Sequence, residues 1–212
     1  MLDLIARSHC LACDCASSAV LCPDCAPDLD GPLRSLPTRH TLLACAVALG
    51  AYTGAIGALV RRAKFQTDTR AARLLCTSLN DALASGVPTL PDVVVPVPTT
   101  PWRLAARGFH LPDQLAAVAS PHFGAPVARL LRRRWGLAQG GRGYAARLAA
   151  GDQLFAIAGP VAGHVLLVDD VVTSGATLHA AAAELLAAGA SSVSSLVLGA
   201  AGPLRRVRVG VS

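Results

Sequence analysis

Dense runs of Val and Leu alternate along this chain with stretches in which apolar residues recur every three or four positions. The segments VVVPVP (Val93–Pro98), HVLLVDD (His164–Asp170) and SSVSSLVLGAA (Ser191–Ala201) predict strands. Helices are predicted over Thr53–Phe65, Thr69–Gly86, Pro112–Phe123 and Gly175–Gly189, with Pro112 and Asp113 in one first turn and Gly189 as one stop. Ala125–Arg134 ends in a short strand, and Trp135–Gly151 has the glycines and arginines of a mobile loop. Strands alternating with helices imply an α/β fold, a mainly parallel sheet with helices on both faces.

The uncharged segment Leu42–Val60 is about long enough to cross a bilayer. Its alanines and glycines are weakly apolar, however, and GAYTG breaks it in the middle, so a buried strand leading into a helix is the better reading and no membrane span is expected. Asp3 and Arg7 interrupt any apolar signal region, so a cytoplasmic protein is expected.

Composition narrows the picture further. With 212 residues, 53% hydrophobic and 15% charged, the chain can bury a core of ordinary domain size, with room for a small appendage. A net charge of +6 suits an anionic partner, a phosphorylated ligand or a nucleic acid backbone, but also an ordinary basic protein.

Five of the seven cysteines fall in CLACDCASSAVLCPDC. Cys10/Cys13 and Cys22/Cys25 form two C-x2-C pairs, the spacing of two knuckles closing a tetrahedral thiolate site on structural Zn²⁺. Disulfides are the alternative and fit poorly with a chain showing no secretion signal. Cys15 is the spare thiol, and Cys45 and Cys76 read as small core residues. From Cys25 to about Arg39, three prolines and a glycine have the composition of a linker.

The densest chemistry lies in DDVVTSGAT, Asp169 to Thr177. Two carboxylates at the carboxyl end of a strand occupy the edge where open α/β sheets bind ligands. Thr173, Ser174, Gly175 and Thr177 lead into a helix N-terminus, whose unpaired N–H groups attract phosphate. The carboxylates call for a donor or a metal instead, and a ribose diol offers two donors, so a sugar phosphate is the implied ligand. LLVDD also resembles the acidic strand of a P-loop ATPase, but no G-x-x-x-x-G-K-[ST] loop accompanies it. Helix capping is the structural alternative for an isolated acidic pair with a threonine.

This string resembles the phosphoribosyl pyrophosphate signature of type I phosphoribosyltransferases. Together with the two cysteine pairs, Tyr52–Phe65, Val93–Pro98, RGFH with Gln114 after it, and Gln139–Arg147, it resembles the competence protein F family, from Cys10 to about Leu198. The resemblance implies a zinc module and linker over residues 1–39 and a phosphoribosyltransferase-like domain over 40–212. It also implies that Asp169 and Asp170 hold ribose hydroxyls, that Thr173, Ser174, Gly175, Ala176 and Thr177 wrap the 5′-phosphate, and that Val171 and Val172 belong to the same ligand-binding stretch. Thr99 and Thr100 would meet the pyrophosphate; Lys64 and Arg107 are candidate counter-charges, or else solvated surface charges. Gln139, Arg142 and Arg147 would belong to a lid. His110 and Ala150 depart from the family, which usually has asparagine at both places.

Two functions follow from the resemblance. One is a phosphoribosyltransferase acting on phosphoribosyl pyrophosphate with Mg²⁺ and an unspecified acceptor, linked to DNA uptake in natural transformation. The other is a non-catalytic competence factor that engages single-stranded DNA or a DNA-uptake helicase. Arg129 and Arg132–Arg134 would carry the DNA contact or guard a strand edge, with Arg133 and Arg134 outside the phosphate loop.

Overall fold

The computed structural model describes residues 9–38, 42–87, 90–100, 104–105, 108–134 and 154–207. Arg107 and the proposed lid residues Gln139, Arg142 and Arg147 lie outside them. The elements in chain order are a 3-10 turn (Ala26–Asp28), β1 (Arg34–Ser35), β2 (Cys45–Ala51), α1 (Gly54–Phe65), α2 (Thr69–Ala84), β3 (Val93–Pro96), α3 (Leu111–Phe123), β4 (Leu131–Arg133), β5 (Phe155–Ile157), β6 (His164–Val172), α4 (Ala176–Ala187), β7 (Ser192–Ala200) and β8 (Arg205–Arg206).

Six strands form one sheet in the order β3-β6-β7-β2-β1-β8. The first four run parallel, as the run-and-helix pattern predicts, while β1 and β8 add an antiparallel edge. A separate antiparallel pair, β4 and β5, flanks them. Along β6 the side chains alternate between two cores. Leu166 and Val168 pack with Ile56 and Leu59 of α1, Leu75 and Leu79 of α2 and Leu115 of α3. Val165 and Leu167 pack with Leu178, Ala181 and Leu185 of α4 and Phe155 of β5. Helices therefore cover both faces, which is why the central strands can be apolar throughout. Among the described residues no helix is long and apolar enough to cross a membrane, and Leu42–Val60 divides into β2 and α1 as expected.

The segment after Cys25 does more than connect. Leu29 and Leu33 are buried in the core beneath α1 and α2, and Arg34 and Ser35 pair with Ala48 and Val47 of β2. Its prolines and glycine suggested a linker, but the two leucines anchor it, and ladder bonds satisfy the β2 backbone it covers.

Candidate functional site

Two clusters of chemistry-bearing residues stand out. In the first, the Sγ atoms of Cys10, Cys13, Cys22 and Cys25 all lie within 4.8 Å of one another. Backbone turns make this possible: the Asp14 N–H donates to Cys10 O at 3.0 Å and the Cys25 N–H to Cys22 O at 3.0 Å, one tight turn per C-x2-C pair. Cys13 and Cys22 Sγ are 3.7 Å apart. Zn–S bonds of about 2.3 Å in a tetrahedron set sulfurs about 3.8 Å apart, the spacing already found between Cys13 and Cys22, so the four thiols could hold a metal such as zinc. Burial alone would raise the Cys10 thiol, but hydrogen bonds from backbone groups of Cys13, Cys22 and Ala12 outweigh it and lower the thiol to about 6. Such a thiol reaches the metal-binding thiolate form easily. Cys15 stays outside the four. Hydrogen bonding to the Cys13 and Cys22 thiols pushes it up to about 12.

The second cluster lies at the carboxyl end of β6. Asp169 and Val171–Leu178 line an open pocket holding about 220 Å³ of empty space. Its floor is the N-terminus of α4, where Gly175 sits in the left-handed region (φ 76°) and no side chain caps the helix. Ser174 Oγ accepts the Ala176 N–H at 3.5 Å, and the positive end of the α4 dipole faces the pocket. Thr173 and Ser174 are exposed at the rim.

The two adjacent aspartates part company here. Strand alternation points neighbours to opposite faces, and only Asp169 reaches this pocket. Asp170 is buried on the other side, where its Oδ1 accepts a hydrogen bond from Lys64 Nζ at 2.8 Å. Asp169 accepts the Asp170 backbone N–H at 2.8 Å. Burial, and then the neighbouring charge of Asp170, push the Asp169 carboxyl up to about 8; the Asp170 N–H, Lys64 and Arg133 pull the other way.

Lys64 is thus neither a solvated charge nor a lining residue of this pocket but the partner of Asp170. Thr99 and Thr100 follow β3, which pairs with β6 in parallel, so they emerge beside the aspartates; Thr100 Oγ1 is buried with no hydrogen-bond partner among the described residues. His110 caps no backbone group of α3 and sits 3.4 Å from Asp113. Arg133 is not among the residues lining the pocket; it lies 5.7 Å from the Phe155 ring centroid, and its charge is the smallest of the influences on Asp169. Arg134 Nε donates to Phe155 O, while Arg132 is exposed and Arg129 is paired with Asp113. Contributions from β4 to a site on β6 could not be read from local motifs, because the strands belong to different sheets.

Residues 156–207, from β5 through β8, match the phosphoribosyl transferase domain family. DNA utilization protein YhgH of Salmonella typhimurium is 30% identical over 213 residues, covering 89% of this chain and 90% of that protein. Competence protein F of Haemophilus influenzae is 30% identical over 143 residues, 63% of this chain and 62% of that protein, so the match spans just under two thirds of its length. The solved allosteric regulatory enzyme of purine biosynthesis overlaps 58% of this chain and 25% of its own with a TM-score of 0.42 and 23% identity. Carrying both the four-cysteine cluster and the phosphoribosyl transferase match, this chain belongs to the competence protein F/YhgH family.

Proposed function

We propose that this protein binds phosphoribosyl pyrophosphate, or a closely related sugar phosphate, and serves DNA handling as the names of its relatives indicate. The observation that carries this reading is the pocket at the end of β6, where a carboxylate, a hydroxyl-rich loop and an uncapped helix N-terminus converge within the phosphoribosyl transferase match. The 5′-phosphate would rest on the α4 N-terminus with Thr173, Ser174, Gly175, Ala176 and Thr177 around it. Asp169 would accept from a ribose hydroxyl, Asp170 on the opposite face would hold the strand end in place through Lys64, and Thr99 and Thr100 would stand beside the pyrophosphate. Arg107 would supply a counter-charge, and the lid residues Gln139, Arg142 and Arg147 would close over the site and exclude water. Bound Mg²⁺ would neutralise the pyrophosphate as it leaves. The chain's own part is to orient the ribose and hold charge near C1 as the C1–O bond breaks. Residues 1–39 would supply the structural zinc module, tied by Leu29, Leu33 and β1 into the core and sheet of the ligand-binding unit, 40–212.

A second reading keeps ligand binding but no transfer, with the positive β4 end engaging single-stranded DNA or a helicase. Exposed Arg132 and Arg134 favour it. Calorimetric titration with phosphoribosyl pyrophosphate and Mg²⁺ tests the shared claim: saturable binding that Asp169→Asn weakens is expected, and no heat of binding with zinc-loaded protein would end it. A screen for pyrophosphate release with candidate bases then separates transferase from binding factor.

A further inference from the structure

We infer that Lys64 is a positioning residue for the aspartate pair and that the four-cysteine module sets it through helix α1. This rests on the ligand reading above only for its functional consequence; the mechanical chain is independent of it.

Helix α1 is held at both ends by residues of the cysteine-bearing segment. At its start, Asp28 Oδ2 accepts the Ala55 N–H at 2.7 Å, in place of the adjacent Thr53, whose side chain caps nothing. Gly54 allows this approach, since its backbone is left-handed (φ 50°) and a Cβ there would collide with the Asp28 carboxylate. Near the helix end, Arg62 Nη1 donates to both carboxylate oxygens of Asp14 at 2.9 and 3.1 Å. Asp14 stands between Cys13 and Cys15 with φ 62°, a backbone conformation fixed by the knuckle itself. Its carboxylate therefore goes where the folded knuckle aims it.

Lys64 lies two residues beyond Arg62, about 200° around the helix. One side of the helix end thus grips the module while the other reaches Asp170 at 2.8 Å. The Lys64–Asp170 side chains are only 20% and 11% exposed, so this is a charge-assisted hydrogen bond in a poorly solvated place. Asp170 is continuous with Asp169 and with the loop that lines the pocket. A metal that orders the knuckle orders Asp14, then Arg62, then the tilt of α1, and so the seat of Asp170. The Arg62–Asp14 pair is the weaker coupling, since Asp14 is 70% exposed; Asp28 supplies the firmer hold.

The test uses full-length protein, zinc-loaded and zinc-depleted, with Lys64→Met, Lys64→Arg, Arg62→Met and Asp28→Asn. Loss of one charge-assisted bond weakens binding of Mg²⁺–phosphoribosyl pyrophosphate by about tenfold or more in Lys64→Met. Lys64→Arg recovers part of it, and Arg62→Met and Asp28→Asn lose about two- to fivefold. In zinc-depleted protein Arg62→Met costs less, because the knuckle no longer presents Asp14 and only the 3.6 Å pair with Asp68 is left to lose. Amide exchange over Val171–Thr177, read without any ligand, accelerates in Lys64→Met and on zinc removal. If zinc-loaded wild-type protein binds no phosphoribosyl pyrophosphate, the functional reading fails and the exchange data alone decide the inference. Unchanged exchange in Lys64→Met overturns the positioning role. An equal Arg62→Met effect with and without zinc overturns the coupling.

Discussion

The cysteine module and the β6 pocket are built in opposite ways. All four thiols come from one short segment, Cys10 to Cys25, and two local turns suffice to converge them. The pocket is lined from one stretch, Asp169 to Leu178, but its carboxylate answers to the wider fold: burial and the charge of Asp170 push it up, while Lys64 on α1 and Arg133 on β4, distant in sequence, pull against them. A local site depends on its ligand to persist, whereas a site assembled by the fold depends on the packing of whole elements. The two regions should therefore fail differently.

Metal removal breaks the comparison most strongly. Structural zinc contributes on the order of 10 kcal/mol or more to small thiolate modules. Cys22→Ser should drop zinc well below one ion per chain by elemental analysis and unprotect the amides of residues 9–29. The sheet should keep its own exchange protection, since β6 and β7 are buried on both faces. Sheet and module losing protection together would show one cooperative unit instead.

Asp169 gives the next largest effect, acting on the pocket alone. Above about pH 8, where the carboxylate is ionised, Asp169→Asn should weaken phosphoribosyl pyrophosphate binding by about 1–3 kcal/mol in calorimetry, the loss of a hydrogen bond to a charged acceptor. Stability should move oppositely. Its folded value, about 8, lies above the ordinary 3.8, so the folded protein holds a proton that the unfolded chain releases from about pH 4 upward. Fewer protons on the unfolded chain means that stability falls with rising pH across that window. The variant should therefore melt higher than the parent, by about 2–4 °C for each kcal/mol relieved, with the gap widening from pH 5 to pH 8.

This contrast also explains what could be read from the sequence. The cysteine spacing was sufficient because the turns lie within the motif. The parallel sheet and its helices were legible from Val- and Leu-dense runs, since strands covered on both faces admit few polar residues. The divergence of Asp169 from Asp170 follows from strand alternation and was within reach. Lys64 and Arg133 were not, because nothing in RRAKF or LLRRR marks which cation turns toward β6; tertiary packing decides it. The anchoring of residues 26–35 was hidden by a loop-like composition carrying just two buried leucines.

A smaller effect sharpens the pocket side. At Gly175 a Cβ would meet only Val172 Cγ2 at 3.9 Å, so space is not the obstacle; the left-handed backbone is. Gly175→Ala should lose about 1 kcal/mol through that strain, or flip the loop and shift the α4 donors. Gly202→Ala, with nothing within 4 Å and no positive φ, is the matched control and should be neutral in thermal melts.

Arg133 should give the smallest effect and the most discriminating one. Its stacking on Phe155 contributes on the order of 0.5–1 kcal/mol. Its charge, however, favours the ionised form of Asp169. If the ligand's hydroxyl donates to an ionised Asp169, binding strengthens as pH rises through about 8. Arg133→Met then displaces that curve toward higher pH, so parent and variant differ near neutrality and converge at alkaline pH. Arg132 and Arg134 are exposed, and their replacement should leave the curve in place. On the DNA side the order reverses. If single-stranded DNA lies on this end, substituting Arg132 and Arg134 by uncharged residues should flatten the log–log salt dependence by about 0.7 for each phosphate no longer neutralised. A pH curve unmoved by Arg133→Met would separate Arg133 from the pocket and make β4 a nucleic acid surface alone; a moved curve with no salt-dependent DNA binding would assign β4 to the pocket.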